Sequence, residues 1–126
     1  MLKLLSFSAV AALALATTAF AADSSATPPM AKNGMFVDAK GMTLYTFDKD
    51  AAGKSVCNGQ CATNWPPMIV ADGGKATGDW TTVARDDGLK QWAYKGKPVY
   101  LWVKDTKPGD TTGDGFLNGA WHIAKP

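Results

Sequence analysis

The sequence predicts an all-β fold, a small pseudo-two-fold repeat of antiparallel hairpins forming a sandwich or barrel, with short loops and at most one short helix near Cys61–Trp65. Three observations predict it. Sliding the chain by 55 residues superposes Lys40-Gly41 on Lys95-Gly96, Leu44 on Val99, Tyr45 on Tyr100, Phe47 on Trp102 and Lys49-Asp50 on Lys104-Asp105, which marks an internal repeat. All 11 acidic residues are Asp, and 13 Gly with 7 Pro favour turns over long helices. Short β-prone runs flank glycine turns in both halves.

In chain order, Met1-Leu2-Lys3, the apolar run from Leu4 to Phe20 and the Ala19-Phe20-Ala21 site have the three-part layout of a secretory signal peptide spanning residues 1–21. The run barely reaches bilayer-spanning length and a small-residue cleavage site follows it, so cleavage near Ala21 is expected, with a periplasmic or secreted product. No cysteine lies near that site to carry a lipid, so no stable membrane anchor is expected. Residues 22–32 are polar and contain prolines, which suggests a flexible arm, disordered or loosely docked. Residues 33–126 form the single domain, with repeat one over about 33–70 and repeat two over about 80–126.

Within repeat one, Met35-Phe36-Val37 and Thr43-Leu44-Tyr45-Thr46-Phe47 read as a hairpin across Asp38-Ala39-Lys40-Gly41. Repeat two repeats the plan, with residues 89–94 and 98–103 around Lys95-Gly96-Lys97. Trp80–Ala84 opens the second unit and Ala120–Ala124 closes it. The formal charge of +2 gives no basic footprint, so no nucleic-acid partner is expected.

Tyr45 and Phe47, like Tyr100 and Trp102, lie two apart on a strand and share a face, giving each repeat an aromatic wall. Asp50 and Asp105 follow the strands, where a carboxylate can accept backbone N–H groups of a turn. These residues fit a folding signature; the alternative is a pocket lined by the Tyr hydroxyls and Asp carboxylates.

The segments Tyr45-Thr46-Phe47-Asp48-Lys49-Asp50 and Tyr100-Leu101-Trp102-Val103-Lys104-Asp105 resemble the secreted-repeat, or predicted-lipoprotein, family with its Y-x-[FWY]-x-x-D motif. The resemblance takes in Cys57-Asn58-Gly59-Gln60-Cys61-Ala62, Trp65-Pro66-Pro67 and the ending from Gly119 to Pro126, so it covers essentially the whole mature chain. Many relatives carry a lipobox cysteine that this chain lacks. The family implies no established activity, although some relatives are linked to alkane catabolism.

Cys57 and Cys61, the only cysteines, sit four apart around Gly59, and an exported chain makes a structural disulfide the default. A redox pair would need a thiol of lowered pKa, and Lys54 is the only local cation. A copper site could combine Cys57 and Cys61 with His122 or with Met35, Met42 and Met68, since thiolate, imidazole and thioether donors together suit Cu(I). His122 has no evident orienting partner, and no nucleophile elbow or His/Glu-rich metal motif appears, so the chain reads as a non-enzyme without cofactor. The Asp-rich loops after each motif, including Asp110 and Asp114, fit turns more cheaply than calcium sites, having no Glu for the twelfth EF-hand position. Core filling accounts for most of the 5 Trp, but two or three facing outward together would make a platform for a sugar, a lipid tail or another protein. Trp65, Asp110, Asp114, Trp121 and His122 are therefore the candidate binding residues.

The reading is an exported, non-catalytic binding or structural module of the bacterial envelope, a monomer whose partner is an unknown envelope protein or small ligand. The alternatives are a thiol-redox or copper-handling periplasmic protein, and an accessory protein for hydrophobic substrates.

Overall fold

The computed structural model describes residues 24–126; the expected signal peptide and its expected cleavage near Ala21 lie outside these residues. The described chain is built of nine short strands, β1 (Ser24–Ser25), β2 (Met30–Lys32), β3 (Met35–Val37), β4 (Tyr45–Phe47), β5 (Ile69–Val70), β6 (Trp80–Ala84), β7 (Lys90–Tyr94), β8 (Lys97–Tyr100) and β9 (Trp121–Ile123). One short helix, α1 (Gln60–Asn64), falls where the sequence places it. A second helical turn, Phe116–Gly119, is interrupted by Leu117 and Asn118 in left-handed backbone.

The seven-stranded sheet runs β1-β5-β7-β8-β4-β9, with β6 on the other edge of β7, and β2-β3 is a separate hairpin. The predicted β7–β8 hairpin turns at Lys95-Gly96, both at positive φ, the conformation a tight primed turn requires. The predicted repeat-one hairpin forms as a looser return: Val37 bridges Thr43, and the Leu44 N–H donates to Phe36 O at 3.0 Å. β3 pairs instead with β2, through an Asn33-Gly34 turn of the same primed kind.

Sequence periodicity does not reveal that the repeats exchange their closing segments. β9, the end of repeat two, lies antiparallel to β4 of repeat one, pairing Phe47 with Trp121. The end of repeat one returns the exchange: Pro67 bridges Tyr100, Ile69 of β5 faces Gln91 of β7, and the Met68 N–H donates to Val99 O at 3.1 Å. At the centre β4 and β8 pair antiparallel with Tyr45 opposite Tyr100, so the two motif copies are direct cross-strand neighbours.

Alternation along β4 and β8 then makes two cores, one on each face. Leu44 and Val99 join Phe36, Met68, Trp80, Trp92 and Ala124. Tyr45 and Tyr100 join Cys57, Trp65, Trp102 and Trp121 on the other side.

The lead, expected as a disordered or loosely docked arm, is docked over residues 24–32. β1 pairs parallel with β5, and Ser25 O accepts the Trp92 indole N–H at 3.0 Å. Trp92 is fully buried, and a buried indole N–H without an acceptor is costly, so the lead supplies what the core needs.

Candidate functional site

The strongest concentration of polar chemistry is built by the repeated motif itself, and it crosses between repeats. The Tyr45 hydroxyl donates to Asp105 Oδ2 at 2.6 Å, and the Tyr100 hydroxyl donates to Asp50 Oδ2 at 2.5 Å. Each tyrosine thus reaches the aspartate of the other repeat. The second carboxylate oxygens hold equivalent turns: Asp50 Oδ1 accepts the Val56 N–H, while Asp105 Oδ1 accepts the Thr112 N–H and hydroxyl. Both tyrosines are fully buried and both phenol pKa values are pushed well up, first by burial and then by the aspartate bond.

The third motif position completes a column of four stacked rings. Phe47 stacks on Trp121 at 4.2 Å, Trp121 on Trp65 at 3.8 Å and Trp65 on Trp102 at 4.0 Å between centroids. The pseudo-two-fold passes between Trp65 and Trp121, which occupy equivalent places after the two helical turns. Each inner indole receives a tyrosine edge, Tyr45 on Trp65 and Tyr100 on Trp121. Gly113 is needed beside this column, because a Cβ there would lie 2.7 Å from Trp65 Cη2.

The repeats differ around the clasp. In repeat one Ser55 Oγ bonds the Tyr100 hydroxyl at 2.6 Å and accepts from Arg85 Nη1 at 3.0 Å. Arg85 is buried and also donates to Gln91 Oε1, Cys57 O and Asp87 Oδ2. In repeat two the Tyr45 hydroxyl instead accepts the Gly113 N–H at 3.3 Å. The sequence singled out neither Arg85 nor Gln91. A lone Arg followed by Asp86-Asp87-Gly88 reads as a turn, and Gln91 in an alternating strand gives no sign of being buried.

Cys57 and Cys61 form the expected disulfide, with Cys57 packed in the aromatic core. Opening this short loop with Cys57→Ser and Cys61→Ser is expected to cost about 2 kcal/mol, read by urea denaturation, if its contribution is loop entropy. The candidate copper set is not assembled: Met68 lies in the other core, and His122 is exposed on β9. Among the described residues no three His, Cys, Asp or Glu side chains gather to hold a metal.

His122 does have a partner, contrary to expectation: its Nε2 lies 2.7 Å from Asp48 Oδ2. Trp65 and Trp121, candidate binding residues, are instead buried at 3% and 1% exposure, because both stand inside the column. Asp110 accepts the N–H groups of Thr106 and Lys107, which hold its carboxyl below the usual range, and Asp114 accepts the Ile123 N–H. Asp110 thus organises a turn, and Asp114 ties its loop to β9. Two open grooves of about 470 and 460 Å³ mark the surface, one between the lead and the Asp38–Gly41 turn, the other lined by Lys95, Lys97, His122 and Lys125.

Burial raises the Asp50 carboxyl above its ordinary value, against the bonds from Tyr100 and Val56 that lower it. A carboxyl that binds its proton more tightly folded than unfolded stabilises the fold as pH falls through its folded pKa. The melting temperature of the wild type is therefore expected to gain on that of Asp50→Asn between neutral pH and about pH 4.

The profile of a family described as a secreted repeat of unknown function matches residues 30–68 and 81–125. No curated protein and no solved structure matches the chain significantly. The two matched stretches contain the two halves of the clasp, and between them they span most of the sequence. The chain belongs to this family of secreted repeats and carries two copies of the repeat.

Proposed function

We propose that the protein is an exported, non-catalytic binding or structural module of the bacterial envelope. The observation that carries this reading is the fate of the motif: its Tyr and Asp side chains are bonded to one another across the repeats. A signature spent on the interior leaves the surface free to vary and to bind. The lysine-lined groove beside His122 and the exposed Phe116 and Leu117 are the features through which such a module would meet a partner. In this reading the mature chain begins after Ala21 and acts in the periplasm or outside the cell as a monomer.

The burial of Cys57 in the aromatic core, out of reach of an attacking thiol, favours a structural role for the pair over thiol-redox or copper handling. Intact mass of the protein recovered from the periplasm, native and denatured, with and without thiol alkylation, tests the choice. A metal-free mass starting at Ala22 or Asp23 with no alkylatable thiol is the expected result. Alkylatable thiols or a copper adduct would transfer the function to Cys57 and Cys61. Retention of an apolar small molecule in the native spectrum would favour the accessory role for hydrophobic substrates.

A further inference from the structure

The aromatic column has a property that packing alone does not require: its oxidisable rings are in unbroken contact and end on phenols already bonded to carboxylates. Trp102 is the outer indole, 8% exposed and flanked by the half-exposed Phe116 at 4.9 Å. Trp65 lies 4.0 Å behind it, and the Tyr45 edge meets Trp65 at 5.4 Å. At the far end of the column stands Phe47, whose phenyl ring is much harder to oxidise than indole. Electron loss is therefore favoured at the Trp102 end.

We infer that Trp102, Trp65 and Tyr45 form a one-electron relay that carries oxidising equivalents from the surface to a buried phenol, with the Asp105 carboxylate as proton acceptor. A one-electron oxidant at the surface, of the class of high-valent metal centres or photo-oxidised ruthenium complexes, takes an electron from Trp102. Trp65 refills Trp102, and Tyr45 refills Trp65. The phenol proton passes from Tyr45 to Asp105 Oδ2 along their 2.6 Å bond. The balance is one electron delivered to the oxidant, a neutral tyrosyl radical at position 45 and a protonated Asp105.

The two tyrosines are not equivalent ends. The oxidation leaves one more positive charge on the tyrosine–aspartate pair. At Tyr100 this opposes the buried guanidinium of Arg85, which is linked to the phenol through Ser55. Tyr45 has a backbone N–H from Gly113 in that place and is one ring closer to Trp102. The oxidising equivalent settles on Tyr45.

The test is flash photo-oxidation of the full-length protein by a ruthenium tris-bipyridyl complex with persulfate, followed by electron paramagnetic resonance and transient absorption. Tyr94→Phe with Tyr100→Phe leaves Tyr45 the sole tyrosine of the 3 in the chain, and this double variant is expected to keep the neutral tyrosyl signal. Tyr45→Phe is expected to lose the signal and leave the radical on tryptophan. Asp105→Asn, which retains an acceptor oxygen but cannot take the proton, is expected to do the same. In the wild type, formation of the tyrosyl radical is expected to slow in D2O, a readout that needs no variant to fold. A tyrosyl signal that survives Tyr45→Phe, that disappears from the double variant, or that forms at equal rates in H2O and D2O would overturn the relay.

Discussion

Trp121→Ala is expected to cost about 4 kcal/mol of folding free energy, the middle of the range for truncating a buried tryptophan. The ring is 1% exposed and contacts three others: Phe47 on one face, Trp65 on the other and the Tyr100 edge. Removing it leaves a gap at the centre of the column, against Phe47, Trp65 and Tyr100. It also weakens the seam between β9 and β4, whose register pairs Trp121 with Phe47. A single domain of this size has about 5–15 kcal/mol of total stability, so the variant sits near the edge of folding. Urea denaturation followed by far-ultraviolet circular dichroism measures the loss. Phe116→Ala, at a ring already 47% exposed, is the control and is expected to cost about 1 kcal/mol or less.

Arg85→Met is expected to cost about 3 kcal/mol, because it removes the hub of a buried polar network and keeps much of the side-chain volume. Arg85 Nη1 serves Ser55 and Gln91, and Nη2 serves Cys57 O, so the substitution leaves several buried groups short of a donor. Gln91 is itself fully buried and uses its amide N–H on Val99 O, so it has no route to water. Arg85→Lys is expected to rescue little, since one ammonium cannot reproduce the planar fork that reaches acceptors on different segments. Arg85→Met also removes a positive charge that holds the Asp50 carboxyl down, so the Asp50 pKa rises further in that variant, whereas Arg85→Lys keeps the charge. Urea denaturation gives the stability loss, and carboxyl-carbon NMR titration follows Asp50.

How much of this was legible in the sequence depends on the range of the interaction. The repeat, the Lys95-Gly96 turn, the short helix beside Cys61 and the disulfide are local patterns, and each is found where its residues place it. The shared face of Tyr45 with Phe47, and of Tyr100 with Trp102, follows from strand periodicity, and these residues do build a common core. The exchange was not legible, because a repeat of fixed offset is equally consistent with two self-contained hairpins and with two that trade closing strands. Each motif aspartate does hold the turn of its own repeat through one oxygen, as its position predicts, but its second oxygen accepts from a phenol 50 or 60 residues away. Arg85 escaped notice for the same reason: its acceptors Ser55 and Cys57 lie about 30 residues upstream, and no spacing rule joins them. The lead likewise composes as a loose arm, and what docks it is long-range: β1 pairs with β5, and Ser25 O takes the indole N–H of the buried Trp92.

The central claim is that the repeated motif is a reciprocal clasp between repeats, and double-mutant cycles test it most directly. The substitutions are Tyr45→Phe, Tyr100→Phe, Asp50→Ala and Asp105→Ala, with stability measured by urea denaturation for all four Tyr/Asp combinations. Coupling of about 2 kcal/mol is expected between Tyr45 and Asp105 and between Tyr100 and Asp50, the size of a buried hydrogen bond to a charged group. The pairs within one repeat, Tyr45 with Asp50 and Tyr100 with Asp105, are expected to be additive to within about 0.5 kcal/mol. Coupling confined to the pairs within a repeat, or absent from the pairs across repeats, would contradict the clasp.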